Sequence, residues 1–439
     1  MKQSKFCLIK EINGKLFLAN LRTGHLVKFA GKYMAEARRL LENCNSADNT
    51  GRLYKFLKEQ KYIIDSDTDE DLIEKDTIEE IKNNNSQLNL IIMPTDDCNF
   101  RCPYCYEDHE KKYMSQSYLD KIAKYIDKNI ENYKGLKVEW FGGEPLLQYS
   151  SVIYLSEKLV QICKQHKKPF LSGMTTNGYF LTAEVFERLR KLHFVGYQIT
   201  VDGFAESHDK QRCLENGGGS WSKIIKNLRD IKETPCRGFT NITIRTNFTV
   251  EMLDRGKEFL DFLNKEFGDD RRFNYFIRTV SNFGGERINK MHDQLIDDKN
   301  QMIKLQKYAS SIGLRQSVRL SSLRAGGMVC YASKKNNYIL ASDEIVRKST
   351  CNYSDPANHI GVIDDSGNML IDKDKENLWL EGYSCENHTC RYRITCAGDG
   401  CPRNHIFNKQ NECVWNAANV EEVLELLSYN DNAIDTYTE

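Results

Sequence analysis

The sequence predicts an α/β chain: a partial barrel of six β/α repeats, a small α+β unit before it and a cysteine-rich segment after it. Three observations carry that expectation. Apolar runs and amphipathic helical patterns alternate six times between residues 88 and 315. The first 80 residues lack that alternation and carry short strand-like runs split by turn residues. Of the 15 cysteines, six crowd into residues 351–413.

Bulk properties set the frame. A chain of 439 residues, 40% hydrophobic, can bury two or three packed units. Its 62 basic and 62 acidic residues balance, so nucleic acid and anionic membrane are not expected partners. The start, MKQSKFCLIKEING, has no signal-peptide core, and no run approaches a membrane span, which predicts a cytoplasmic protein. Disulfides are rare in reducing cytosol, so cysteines at short spacings there bind metal or act in catalysis. Scattered ones such as Cys7, Cys44, Cys163, Cys213 and Cys236 read as small buried hydrophobes.

Along residues 1–80, KFCLIKEI, KLFLANL and HLVKFA have strand composition and are separated by Asn13-Gly14 and Thr23-Gly24. KYMAEARRLLENC and RLYKFLKEQ read as amphipathic helices, and KYIID as a last strand. The acidic stretch from Asp65 to Asp76 and the NNNSQ beyond it are expected to form a linker to about residue 87. Residues 88–315 then alternate strands LNLIIMPT, KVEWFGG, FLSGMTTNG, VGYQITVDG, NITIRTNFT and NYFIRTV with helical patterns. Parallel strands of this kind bury both faces, and their chemistry gathers at the C-terminal ends. From 316 to 439 the alternation fades into cysteines, turns and pieces such as HIGVIDDSGNMLI, a segment expected to be held together by metal.

Cys98, Cys102 and Cys105 lie directly after the first barrel strand. Three thiolates in eight residues can wrap an iron–sulfur cubane and leave its fourth iron open. A structural zinc site is the alternative, but zinc normally takes four protein ligands and no fourth is nearby. The loop CNFRCPYCYE strongly resembles the cluster loop of the radical SAM superfamily, and the resemblance spans about residues 88–315. It implies that S-adenosylmethionine binds the open iron and is cleaved to a 5′-deoxyadenosyl radical, with Tyr104 near the adenine.

Further matches follow strand by strand. Gly142-Gly143-Glu144-Pro145 resembles the family's GGEP motif. Its glycines are expected to admit the cofactor closely, and Glu144 to accept its ammonium. Thr176 and Asn177 end the third strand, where the family contacts ribose or carboxylate. Gln198 begins the QITVDG that ends the fourth. His208-Asp209-x-x-Arg212 completes a signature of radical enzymes acting on peptides, with Arg212 expected to pair with the methionyl carboxylate. Arg245 and Asn247 are weaker pocket candidates.

The later run Cys385, Cys390, Cys396, Cys401 and Cys413 resembles the SPASM extension, which carries auxiliary iron–sulfur clusters; a zinc ribbon is the competing reading. The family pattern implies an outer cluster on Cys385, Cys390, Cys396 and Cys413, and an inner one on Cys351 and Cys401. Where the pattern has a further inner cysteine this chain has Asp372, so Asp372 or Cys330 is the expected substitute, or the inner cluster is short of a ligand. Asp372 and Asp374 are also the candidate acid/base pair. The N-terminal unit resembles winged-helix-like modules that bind a leader peptide along a sheet edge. Together these resemblances imply a maturase of a ribosomally synthesised precursor peptide. It would install a thioether or carbon–carbon crosslink and draw electrons from a flavodoxin or ferredoxin. The alternative is a sulfatase-maturing type enzyme that oxidises Cys or Ser to formylglycine.

Overall fold

The computed structural model describes the chain apart from residues 46–49, 281–286, 318–319, 382–384, 386, 388, 399–400, 409–412, 414–416, 430–433 and 438–439. Its contacts divide the chain into two units, not into three consecutive segments. One unit joins Met1–Asn84, Val318–Lys335 and Leu378–Glu439; the other joins Asn85–Ser317 and Asn336–Asn377.

The first unit opens with β1 (Lys2–Gln3), β2 (Cys7–Ile12), β3 (Lys15–Asn20), β4 (Leu26–Phe29), α1 (Lys32–Glu42), α2 (Arg52–Glu59), β5 (Ile63–Ile64) and α3 (Glu70–Asn83). Strands β2, β3 and β4 form an antiparallel meander, so alternate residues face opposite sides. Leu16, Leu18, Val27 and Phe29 pack on one side with Leu40, Leu57 and Tyr62. Phe6, Leu8, Phe17 and Ala19 pack on the other with Leu323, Ile394, Leu424 and Leu427 from the far end of the chain. That second core explains why the N-terminal module and the cysteine-rich segment belong to one unit. The stretch expected as linker is largely helix α3, started by Asp69, whose carboxylate accepts the Asp71 and Leu72 amides. A short strand at Asp435–Thr436 pairs with the free edge of β4.

The second unit contains the six expected strands: β6 (Gln87–Met93), β7 (Gly135–Trp140), β8 (Phe170–Thr176), β9 (Phe194–Thr200), β10 (Asn241–Phe248) and β11 (Phe273–Thr279). All five successive pairings are parallel. Helices α4 (Gln116–Asn129), α5 (Tyr149–Gln165), α6 (Ala183–Arg190), α7 (Ala205–Gln211), α8 (Trp221–Lys232) and α9 (Gly256–Phe267) lie between them. They pack on the outer face, where Tyr197 meets Phe186 at 5.1 Å and Phe273 stacks on Phe267 at 4.9 Å between ring centres. The inward residues that alternate with these, including Gln198, Arg245, Phe276 and Arg278, are only half-buried, so the lumen is not filled.

Part of the segment after residue 320, expected to lack a core of its own, joins the barrel sheet. Strands β12 (Asn337–Ala341), β13 (Ile345–Arg347), β14 (Gly361–Ile363) and β15 (Met369–Ile371) continue the barrel sheet. Strand β12 pairs parallel to the outer edge of β6, and β13 to β15 follow antiparallel. Because β12 takes that edge, β6 does not pair with β11 and the barrel stays open. No helix among the described residues is long and apolar enough to cross a membrane.

Candidate active site

Strand β6 ends at Met93, and the chain runs directly into the loop bearing Cys98, Cys102 and Cys105. The loop is fastened to the segment after α7 by main-chain bonds: Arg101 N to Cys213 O at 2.9 Å and Glu215 N to Asn99 O at 2.9 Å. A bridge between Phe100 and Leu214 and an Arg101–Glu215 ion pair reinforce the seam. Cys98 and Cys102 are buried and Cys105 half-buried. Burial, then the Glu144 charge, pushes the Cys98 thiol up to about 12; burial raises Cys102 and Cys105 as well. The three sulfurs do not form a compact single-ion shell. Among the described residues, the trio with ligand atoms all within 4.8 Å is Cys105, Glu107 and His109.

The GGEP loop after β7 lies against the start of the cysteine loop. Gly143 N donates to Thr95 O at 3.1 Å and Glu144 N to Asp97 O at 2.9 Å. A Cβ on Gly143 would stand 2.1 Å from Asp97 O, and one on Gly142 2.5 Å from Thr95 O. The glycines thus make room for the neighbouring loop's backbone. Glu144 is wholly buried. Its Oε1 accepts from Leu146 N at 3.0 Å and Thr176 Oγ1 at 2.7 Å, and its Oε2 from Asn177 N at 2.7 Å. One Oε2 lone pair remains for a cofactor ammonium. Burial raises this carboxyl's affinity for protons, and the three hydrogen bonds oppose that. Pro145 opens a short 3-10 helix at a position where its missing N–H costs nothing. Asn177 in turn donates to Asn99 Oδ1 at 2.8 Å, tying the end of β8 to the cysteine loop.

A second buried group lines the other side. Arg212 Nη1 donates to the Tyr104 hydroxyl at 2.8 Å, and that hydroxyl donates to Asp202. Asp202, after β9, also accepts from Asn247 N at 2.7 Å. Tyr104 packs against Val280, Ile288 and Met291. Arg212 is 7% exposed, lies over the Phe100 ring and keeps its Nε unpartnered. The guanidinium thus retains a donor for an anionic guest such as a carboxylate. His208 and Asp209 have structural duties. His208 Nδ1 accepts from Asp202 N at 3.1 Å, and Nε2 donates to Ser220 Oγ, which donates to Arg212 O at 2.7 Å. Burial keeps this imidazole neutral far below its ordinary range. Asp209 holds the Ser220 and Trp221 amides at the start of α8.

A cavity of about 630 Å³ in the same unit is lined by Met93, Asp96, Tyr106, Glu107, Arg347 and Tyr353, among others. One wall is the part of the cysteine loop that follows Cys105, from Tyr106 to Lys112; another includes Asn352, next to Cys351. Arg347 donates to Asp343 and lies over the Tyr353 ring, whose hydroxyl donates to Asp96 at 3.2 Å. Glu107 has a buried oxygen with no partner, and burial, then the Asp96 charge, pushes its carboxyl up to about 8. Asp96 and Glu107 were missed in the sequence because isolated acids beside cysteines form no motif.

The candidate acids Asp372 and Asp374 do not join this cavity. Both are exposed, and Asp372 Oδ1 accepts the amides of Asp374 and Lys375 at 3.1 Å, a helix cap. Of the auxiliary cysteines, Cys351 belongs to the barrel unit, while Cys330, Cys385, Cys390, Cys396, Cys401 and Cys413 belong to the other. Burial pushes Cys396 up to about 11, and Cys413, Cys390 and Cys385 are close enough to act on it electrostatically; these are the four residues expected to share the outer cluster.

Comparisons with known proteins agree with this geometry. Residues 92–260 match the family model of the Radical SAM superfamily. A serine-type anaerobic sulfatase-maturating enzyme of Bacteroides thetaiotaomicron is 28% identical over 147 residues, 31% of this chain and 34% of that enzyme. The chain spans 36%, 57% and 34% of the length of three curated relatives it matches. Among solved structures, native anSMEcpe with bound AdoMet and Cp18Cys peptide aligns with 79% of this chain and 97% of its own at TM-score 0.56 and 18% identity. Streptococcus suis SuiB bound to precursor peptide SuiA aligns with 94% and 97% at TM-score 0.53 and 13% identity. Those likenesses establish a shared fold. Motif, strand order and loop geometry converge on one family for the centre of the chain: residues 92–260 are a radical SAM domain.

Proposed function

We propose that this chain is a SPASM-type maturase that abstracts hydrogen from a residue of a ribosomally made peptide and closes an intramolecular crosslink. The observation that carries the reading is the cavity, bounded by the cysteine loop on one wall and by the segment after Cys351 on another. A peptide side chain lodged there would lie between the radical source and an auxiliary ligand. Cys98, Cys102 and Cys105 would hold the cluster, which with S-adenosylmethionine would supply the 5′-deoxyadenosyl radical, and auxiliary clusters would take up the surplus electron. The peptide gives up one hydrogen atom, then one electron and one proton, so two hydrogens are lost per crosslink.

The chain's own groups handle the rest. Glu144 and Arg212 offer opposite charges to the ammonium and carboxylate of the methionyl group. Tyr104, held by Asp202 and Arg212, presents its ring beside the third cysteine. Asp96, already accepting the Tyr353 hydroxyl, is the cavity carboxylate set to take the departing proton. The N-terminal sheet and helices are read as the leader-binding module, and a flavodoxin or ferredoxin as the electron donor.

The second reading, oxidation of Cys or Ser to formylglycine, is favoured by the likeness to the serine-type sulfatase-maturating enzyme. Anaerobic reaction of the reconstituted enzyme with a candidate precursor peptide separates the two. A crosslink gives a product two hydrogens lighter that resists fragmentation between the joined residues and ignores hydrazide probes. A hydrazide-reactive aldehyde would replace the first reading with the second.

A further inference from the structure

His109 is used by nothing described so far, yet it is 8% exposed and held in the left-handed region at φ 58. Its Nε2 lies 3.2 Å from Cys105 Sγ, and its Nδ1 lies 3.0 Å from Arg287 Nη1. A guanidinium has no acceptor and donates only, so Nδ1 must be the ring's lone-pair nitrogen. The proton of the neutral ring is then on Nε2 and points at the sulfur. Arg287, from the segment following β11, thereby fixes the tautomer of a histidine on the loop following β6.

We infer that His109 is a positioning residue that donates a hydrogen bond to the Cys105 sulfur of the iron–sulfur cluster and raises its reduction potential. A thiolate bound to iron keeps lone pairs that accept such a bond, and donors to cluster sulfurs stabilise the more negative, reduced state. Cys98 is served otherwise, by the Phe100 amide at 3.4 Å and the Asn177 side chain at 3.9 Å. The loop thus divides its donors between the two sulfurs. The inference rests on the assignment of the cluster to Cys98, Cys102 and Cys105.

The test uses the reconstituted full chain, in wild-type form and as His109→Asn, His109→Gln and Arg287→Met. Asparagine tolerates the left-handed backbone but is too short to reach the sulfur, whereas glutamine keeps a donor at similar length. Iron and sulfide content, the cluster's midpoint potential and its reduced-state EPR spectrum are measured. We expect unchanged iron, a negative shift in potential with altered g-values for His109→Asn, and near wild-type values for His109→Gln. Arg287→Met frees the tautomer and should give a smaller negative shift. A His109→Asn potential equal to wild type overturns the inference, as does loss of iron in that variant, which would make His109 a ligand together with Glu107. Wild-type protein whose iron content is unaffected by Cys105→Ala would instead remove the cluster assignment beneath it.

Discussion

The two cysteine groups are held in place by different means. Cys98, Cys102 and Cys105 sit on a loop that is fastened on one side to the GGEP loop and on the other to residues 213–215, both through main-chain hydrogen bonds. The strands behind those loops are fixed by parallel ladders. Among its described residues, the run from Cys385 to Cys413 belongs to no strand ladder. Its described residues are held by the short helices Arg393–Cys396 and Pro402–Asn408, by main-chain bonds from Cys385 N to Gly398 O at 2.7 Å, Gly326 N to Ile394 O at 3.0 Å and Met328 N to Thr395 O at 2.9 Å, and by Ile394 in a core. We propose that the first group is organised by the fold before any metal binds, and that the second depends more on metal for its own order.

Breaking each group should therefore give opposite signatures, and this is the largest effect expected. Cys102→Ala should abolish 5′-deoxyadenosine formation while leaving the melting temperature of the protein close to wild type. Cys396→Ala should keep S-adenosylmethionine cleavage in the barrel but lose auxiliary iron and melt earlier. Equal melting of the two variants would erase the distinction.

Next comes the seam that organises the first group. Gly143→Ala places a methyl against Asp97 O with no flexible side chain to yield, and should destabilise the protein by about 3 kcal/mol in denaturant titrations. Cofactor binding should weaken with it, because the GGEP loop must move.

A pH experiment sharpens the same contrast. His208 has a folded-state affinity for protons well below its ordinary value of 6.5, so the unfolded chain takes up a proton first as pH falls. Stability from this residue is fully present above 6.5 and is lost progressively below it. His208→Gln can keep both hydrogen bonds without titrating, and should flatten the acid-side slope by up to about 1.4 kcal/mol per pH unit. An unchanged slope would deny that the buried histidine governs it. The smallest effect is at the helix cap: Asp372→Ala should cost about 1 kcal/mol and leave product formation intact. Lost turnover with full iron content would return Asp372 to the chemistry.

The sequence revealed the barrel more clearly than the ends of the chain. Each parallel strand buries one face under helices and must be apolar over several residues, so LNLIIMPT and its five successors stand out. The cysteine loop and GGEP were equally legible, because both need fixed residue types at fixed spacing. The reason for the glycines was not legible, since what a missing Cβ makes room for depends on a loop 46 residues earlier in the chain for Gly143 and Asp97. Helix α7 was hidden by its polar composition, AESHDKQ, which serves the site and not the core. The union of N-terminal sheet and C-terminal helices was hidden too, because Phe6 and Leu427 meet across nearly the whole sequence. Strand β12 was overlooked because NYILA is short and lies among cysteines.

The strand at Asp435–Thr436 bears on how a peptide can reach the N-terminal sheet. It already extends β4, Tyr437 N bonds to Lys28 O at 3.1 Å, and the Tyr437 ring nests among Phe29, Tyr33 and Phe56. A leader that added at this edge would compete with a tethered resident, whose effective concentration is of the order of millimolar. Recruitment there would thus be an exchange of one strand for another, in which the incoming segment has to displace Tyr437 from its aromatic nest.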